Sequence, residues 1–221
     1  LPNDIRRMIP AMGKVAERRA RTIDAIVAAA VDVMGETGAA GLSLGEVARR
    51  VGMRTPSLYG YFASRSALCD EIFRRGWMSY RDDIVAGAGL SPDTEVVAFL
   101  SDLLTAAVDW ANSHRAHAEL MFWRPIPHWQ PSPEAFEPAI EVLADAIASF
   151  ARAKDLGLLR HDVDVDEVAQ AWAVLVAGVI SQQLSNEPGV AAADGRASRH
   201  AAALAAMFVA HYGRQSREDN P

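Results

Sequence analysis

The stretch GMRTPSLYGYF, residues 52–62, packs hydrogen-bonding side chains into very little chain. Arg54, Thr55, Ser57, Tyr59 and Tyr61 fall within eight residues, and Arg65 follows shortly after. Guanidinium, hydroxyl and phenol groups of this kind suit base edges and phosphates, the two targets on duplex DNA. Arg54, Thr55, Ser57 and Tyr59 are the candidates for base edges. Tyr61, Arg65 and a helix N-terminus capped by Ser43 are the candidates for phosphate. Gly60 removes a side chain between the two tyrosines, which favours close approach of the backbone.

A second group of residues raises other chemistry. His114 and His117 stand three apart, with Glu119 nearby, and share one helix face. Such a pair can ligate a metal, but two ligands do not fill a site. Histidines at a helix end beside Asn112 and Ser113 are more often structural. No metal and no cofactor are therefore expected. No nucleophile stands beside a base, and no Gly-rich loop is present to cradle phosphate. A small helical enzyme or hydrolase using His114, His117 and His128 is kept as an alternative, below a binding function. Cys69 is the only cysteine and lies on an apolar helical pattern with Leu68 and Ile72, so it reads as a packed thiol. A lone cysteine fits a reducing compartment. LPNDIRRMIPAMGK lacks the apolar core of a secretory leader, and the longest apolar run, AWAVLVAGVI, is too short to span a membrane. The expected location is the cytoplasm, with no membrane partner.

Helices must position these residues. Ile23, Ile26, Val27, Ala30, Val31 and Met34 recur at helical spacing and predict a helix from about Arg18 to Glu36. Gly38 and Gly41 break it. Ser43 with Glu46 three residues on predicts a capping box, opening a helix that ends near Val51 before Gly52. Thr55 then reads as an N-cap and Pro56 as the first helical residue, where a missing N–H costs nothing. That predicts a very short helix from Thr55 to about Tyr61, anchored by Leu58 and Phe62. Ser64 caps a fourth helix. A helix, a tight turn and a second short helix make a helix-turn-helix unit.

Residues 37–73, TGAAGLSLGEVARRVGMRTPSLYGYFASRSALCDEIF, resemble the DNA-binding domain of the tetracycline-repressor (TetR) family. The resemblance rests on the glycine break before Ser43, on Ala48 and Gly52, on Leu58-Tyr59-x-x-Phe62, and on Ser64-Arg65-x-Ala67-Leu68. It departs at Gly60, where relatives commonly carry an aromatic or polar residue, and at Tyr61, where many carry His. Arg54 and Thr55 cannot inherit base contacts from any particular relative. The resemblance implies an all-α chain: an N-terminal three-helix DNA-binding domain with a helix-turn-helix, joined to a C-terminal helical bundle that dimerises and often holds a small effector.

Charge divides the chain the same way. Residues 1–75 carry 12 Lys/Arg against 8 Asp/Glu, and residues 76–221 carry 10 against 20. The expected domains are 1–75 for DNA and 76–221 for effector binding and dimerisation. In the second, SPDT at 91–94 reads as a helix cap, 124–138 as a proline-rich loop and 186–197 as a linker. Ala169, Ala173 and Ala177 at four-residue spacing suit close packing of the last two helices across a homodimer. Trp110, Met121, Phe122, Trp129 and Trp172 are candidate effector-lining residues, with Trp123 and Phe136 beside them. The acidic balance favours an apolar or cationic effector over an anion. The expected function is a sequence-specific transcriptional regulator, a repressor of a palindromic operator released by that effector. A dimeric adaptor that retains the helix-turn-helix as a packing module is the remaining alternative.

Overall fold

The computed structural model describes residues 3–85 and 89–214. Among them every regular element is helical, and one antiparallel bridge pairs Leu159 with Gly213. The helices are α1 (Asn3–Thr37), α2 (Leu44–Arg50), α3 (Thr55–Leu58), α4 (Arg65–Tyr80), α5 (Val96–Ser113), α6 (Arg115–Ala118), α7 (Pro133–Asp155), α8 (Val165–Asn186) and α9 (Ala201–Tyr212). Two wide π-helical turns extend α4 (Arg81–Val85) and α6 (Glu119–Trp123).

The first helix begins well before Arg18, at Asn3. Its apolar stripe ends up where the spacing requires: Ile26, Val27, Ala30 and Met34 are buried. Gly38 turns the chain at φ 75°, a conformation open to glycine, and a 3-10 turn follows over Ala39–Gly41. Ser43 caps α2 by accepting from the Glu46 amide at 3.5 Å. The reciprocal half of the expected capping box is not made. The Glu46 carboxylate accepts instead from Arg49 and Arg50, whose hydrogen bonds hold it down at about 2. Gly52, at φ 69°, reverses the chain toward α3.

The cap of α3 is displaced by one residue from expectation. Arg54 occupies the N-cap, without a side-chain cap bond, and Thr55 is the first helical residue. Pro56 sits in the first turn, where its absent N–H has no partner to lose. The helix closes at Leu58, but turn bonds from the Gly60, Tyr61 and Phe62 amides carry the coil on to Phe62. Ser64 caps α4 through the Ala67 amide at 3.1 Å, as its position predicts. The expected boundary at 75/76 lies inside α4, which runs on unbroken.

In the second half, SPDT closes its own turn, Thr94 Oγ1 accepting from the Ser91 amide at 2.8 Å. The α5 helix starts only at Val96, with Glu95 as its N-cap. Ser132 caps α7, and Pro138 is accommodated inside that helix. α5 packs on α8 and α9, α7 packs on α4 and α8, and α6 lies against α1 and α4. Segment 187–197 is more than a linker. Gln183 and Ser198, both buried, hydrogen-bond to it and to each other, and Asn112 and Asp109 of α5 hold its backbone. α8 has the length and apolar composition of a membrane span, but here it serves as a core helix, burying Val168, Trp172, Val176, Ile180 and Leu184.

Candidate nucleic-acid interface and effector cavity

α3 is positioned from beneath. Leu58 is fully buried and Phe62 nearly so, which fixes the rotation of the short coil. Arg54, Pro56, Ser57 and Tyr59 consequently face solvent, and Thr55 is half-buried. Tyr59 is 50 % exposed, unusual for an aromatic with no partner beneath it. Tyr61 is half-buried under the Arg19 guanidinium, 5.0 Å above its ring. The same Arg19 donates to the Gly60 carbonyl at 3.1 Å. The α1 helix therefore braces the end of the α3 coil. No local pattern in the sequence ties Arg19 to position 60.

Ser43 lies at the start of α2, exposed, with its hydroxyl committed to the cap. Arg65 is half-buried and donates Nη2 to the Ala40 carbonyl at 2.8 Å. It braces the turn before α2, which draws on the group expected to hold phosphate. Cations on α1 are more open. Lys14, Arg18 and Arg21 line a cleft together with Val51 and Met53 at the turn between α2 and α3. Their spacing in the sequence, four and three residues, places them on one helix face, so Lys14 was legible there but was overlooked. Arg49, Arg50, Arg74 and Arg75 are by contrast taken up by Glu46, Glu36, Glu71 and Asp24.

The two halves of the molecule meet at the 3-10 turn. Glu119, buried at 6 % exposure, accepts from the Ala39 amide at 2.8 Å and from Arg115 at 3.0 Å. Nearby, α6 presses on α4 at Gly76, where a Cβ would meet Met121 Sδ at 2.7 Å and His117 Cβ at 3.1 Å. His117 is pushed down to about 4, chiefly by burial and then by His114 and Arg75. His114 stacks on Trp110, with Nδ1 3.0 Å from the Trp110 carbonyl. That ring nitrogen is occupied, and His128 is exposed on the proline-rich loop. Among the described residues no cluster of three metal-ligating side chains forms. Cys69 is buried, and burial pushes its thiol up to about 11.

A cavity of about 230 Å³ lies in the second half, between α4, α5, α7 and α8. The two π-helical turns deliver to it: Ile84 and Val85 from the first, Phe122 from the second. Of the expected lining residues, Phe122 and Trp172 face it. Trp110, Met121 and Trp129 lie outside the lining and are core. Trp110 donates to Ser79 Oγ at 3.2 Å, and Trp129 donates to Asp70 at 2.9 Å with its ring edge-on to Phe73. Sequence reasoning had drawn on the bulky aromatics of the loop region. Most of the lining is aliphatic, drawn from α5, α7, α8 and the segments between them, and has no sequence signature apart from ordinary core.

A sequence model for bacterial regulatory proteins of the tetR family matches residues 26–72, from the middle of α1 to α4. Over that segment, 47 of the 221 residues, the chain is similar to the tetR family. Solved structures agree in fold across both halves of the chain. A protein of unknown function from Rhodococcus superposes with a TM-score of 0.69 at 19 % identity, covering 87 % of this chain and 95 % of that one. A TetR family transcriptional regulator from Chloroflexus aurantiacus gives 0.62 at 14 %, covering 87 % and 93 %. The transcriptional regulator FadR from Bacillus subtilis, in complex with stearoyl-CoA, gives 0.64 at 13 %, covering 84 % and 96 %. Among curated proteins none matches the chain in sequence. The fold is that of tetR-family transcriptional regulators.

Proposed function

We propose that this protein is a transcriptional regulator that binds a two-fold symmetric DNA operator as a homodimer and is released by a small molecule held in the cavity. The observation that carries the reading is the exposed run Arg54, Ser57 and Tyr59 on a coil fixed from below by Leu58 and Phe62. Side chains so presented can reach base edges in the major groove, while Lys14, Arg18 and Arg21 meet the flanking phosphates.

One such short coil binds weakly, and two on a symmetry axis read two half-sites. The face that supports a dimer lies on α8 and α9. Ala173, Val174 and Gly178 are exposed on the first, and Ala203, Ala206, Met207 and Ala210 on the second. Val174 is 73 % and Met207 69 % exposed, with small residues around them that allow helices to approach closely. Release works through α4. Its N-terminus follows α3 directly, and its C-terminal end supplies Trp77 and Tyr80 to the cavity. A ligand that fits the cavity better in one placement of α4 shifts the spacing of the paired recognition coils.

The test is a gel shift with duplex fragments flanking the protein's own gene, run with wild type and with Val174→Asp/Met207→Asp. Wild type shifts a discrete fragment, and the double variant, a monomer by sedimentation, loses most of that affinity. A dimer-deficient variant that binds as tightly as wild type would overturn the paired reading.

A further inference from the structure

The cavity itself specifies the chemistry of its occupant. Among the described residues that line it there is no Asp, Glu, Lys, Arg or His. The hydroxyls of Tyr80 and Ser149 and the indoles of Trp77 and Trp172 are the polar groups on an otherwise hydrocarbon wall of residues such as Leu100, Leu103, Val142 and Phe150. Tyr80 is buried, and that burial alone raises its hydroxyl well above the ordinary value, so it stays a neutral donor. An ion entering this space would lose its hydration without a counter-charge. The acidic residues of α7 closest in sequence to the lining, Glu141 and Asp145, are already held by Arg81, each at 2.6 Å. Neither is free to receive a cation.

Size narrows the class further. An engineered apolar cavity of about 150 Å³ accepts benzene, six non-hydrogen atoms. By that proportion 230 Å³ accepts roughly nine. We propose that the cavity takes an uncharged, mainly hydrocarbon molecule of about nine to twelve non-hydrogen atoms, carrying one hydrogen-bond acceptor such as a ketone, ester or ether oxygen for the Tyr80 hydroxyl. This rests on the regulator reading only for what the binding accomplishes. It removes the cationic effector that net charge alone suggested, since the acidic surface does not extend into the cavity. An acyl chain of eighteen carbons exceeds this volume.

The experiment is titration calorimetry on the 221-residue protein without DNA, using four matched probes: 2-decanone, decane, decanoate and decylammonium. The ketone is expected to bind at least tenfold more tightly than either ion and severalfold more tightly than decane. Tyr80→Phe is expected to erase the advantage over decane while retaining hydrocarbon binding. Ala146→Phe, which fills the cavity, is expected to abolish binding, and Ala139→Leu repeats the test should Ala146→Phe not fold. Either ion binding as tightly as the ketone, or a folded cavity-filled variant binding like wild type, overturns the proposal. A parallel DNA-release assay separates the two claims. Ketone binding without release leaves the ligand class standing and defeats the effector role, whereas intact DNA binding with no ketone binding defeats the ligand class alone.

Discussion

Glu119 is one of the residues by which the second half of the chain holds the first. Its carboxylate accepts from the Ala39 amide, eighty positions away in sequence, at 2.8 Å. The same turn is held from α4 by Arg65 through the Ala40 carbonyl. Glu119→Ala removes a charge-assisted acceptor and leaves the Ala39 N–H, on a fully buried residue, without a partner. That loss costs about 2–3 kcal/mol. For a chain of this length each kcal/mol moves the melting midpoint by about 2–4 °C, so the expected drop is about 4–12 °C. Glu119→Gln keeps an oxygen for the amide and gives up the charge-assisted bond from Arg115, whose half-exposed side chain limits that loss to about 1 kcal/mol. The assay is thermal unfolding followed by circular dichroism, with DNA affinity measured in parallel. The alanine variant is expected to melt early and to bind DNA more weakly, because α2 starts from this turn. An alanine midpoint within 1 °C of wild type, or a glutamine variant as unstable as alanine, would refute the role of the acceptor (~0.5 kcal/mol being the smallest resolvable loss).

Other outcomes follow from the same geometry. His117 has its folded-state value lowered from 6.5 to about 4, so the neutral ring favours the fold. Stability is full above the ordinary value and falls as pH drops toward 4, by at most about 3 kcal/mol; urea midpoints at pH 7 and pH 5 should differ less in His117→Leu, and equal differences would reject burial as the cause. Arg54→Ala should change sequence preference at one base pair by about 1–3 kcal/mol, while Arg18→Ala should weaken all sequences alike and reduce the salt slope by about 1. Anisotropy titrations at several salt concentrations distinguish the two. Gly195→Ala should destabilise the chain, since the added Cβ would collide with the buried Gln183 amide and with Ser198 Oγ at 2.5 Å. A wild-type melting midpoint in that variant would mean that the 187–197 loop is not held as packed.

How much of this was legible in the sequence differed by element. The stripe of α1, the Ser64 cap and the Leu58/Phe62 anchor follow from periodicity and capping chemistry, which are local rules. The differences arose where two groups compete for one role. Glu46 was expected to reach back to its own helix start, but two arginines in the next turn of α2 offer it stronger, charged donors. Thr55 was expected to cap α3, but the turn after Gly52 places Arg54 in the extended conformation of a cap. The bond from Arg65 to the Ala40 carbonyl was not legible, because nothing in the sequence brings residue 40 beside residue 65. The cavity was least legible of all. A helix face that lines empty space and one that meets a neighbour carry the same residues, so Leu103 and Val142 look like core while Trp110 and Trp129 look like a binding site.

The central claim is that the surface around Arg54, Ser57 and Tyr59 reads duplex DNA in pairs. Selection of binding sites from a random duplex library, followed by footprinting of the winning sequence, tests it most directly. The account predicts an inverted repeat whose half-sites lie about one helical turn apart, ~10–10.5 base pairs centre to centre, with protection lost in Ser57→Ala/Tyr59→Ala. Enrichment of no sequence, or of an unpaired site bound equally well by that double variant, would contradict it.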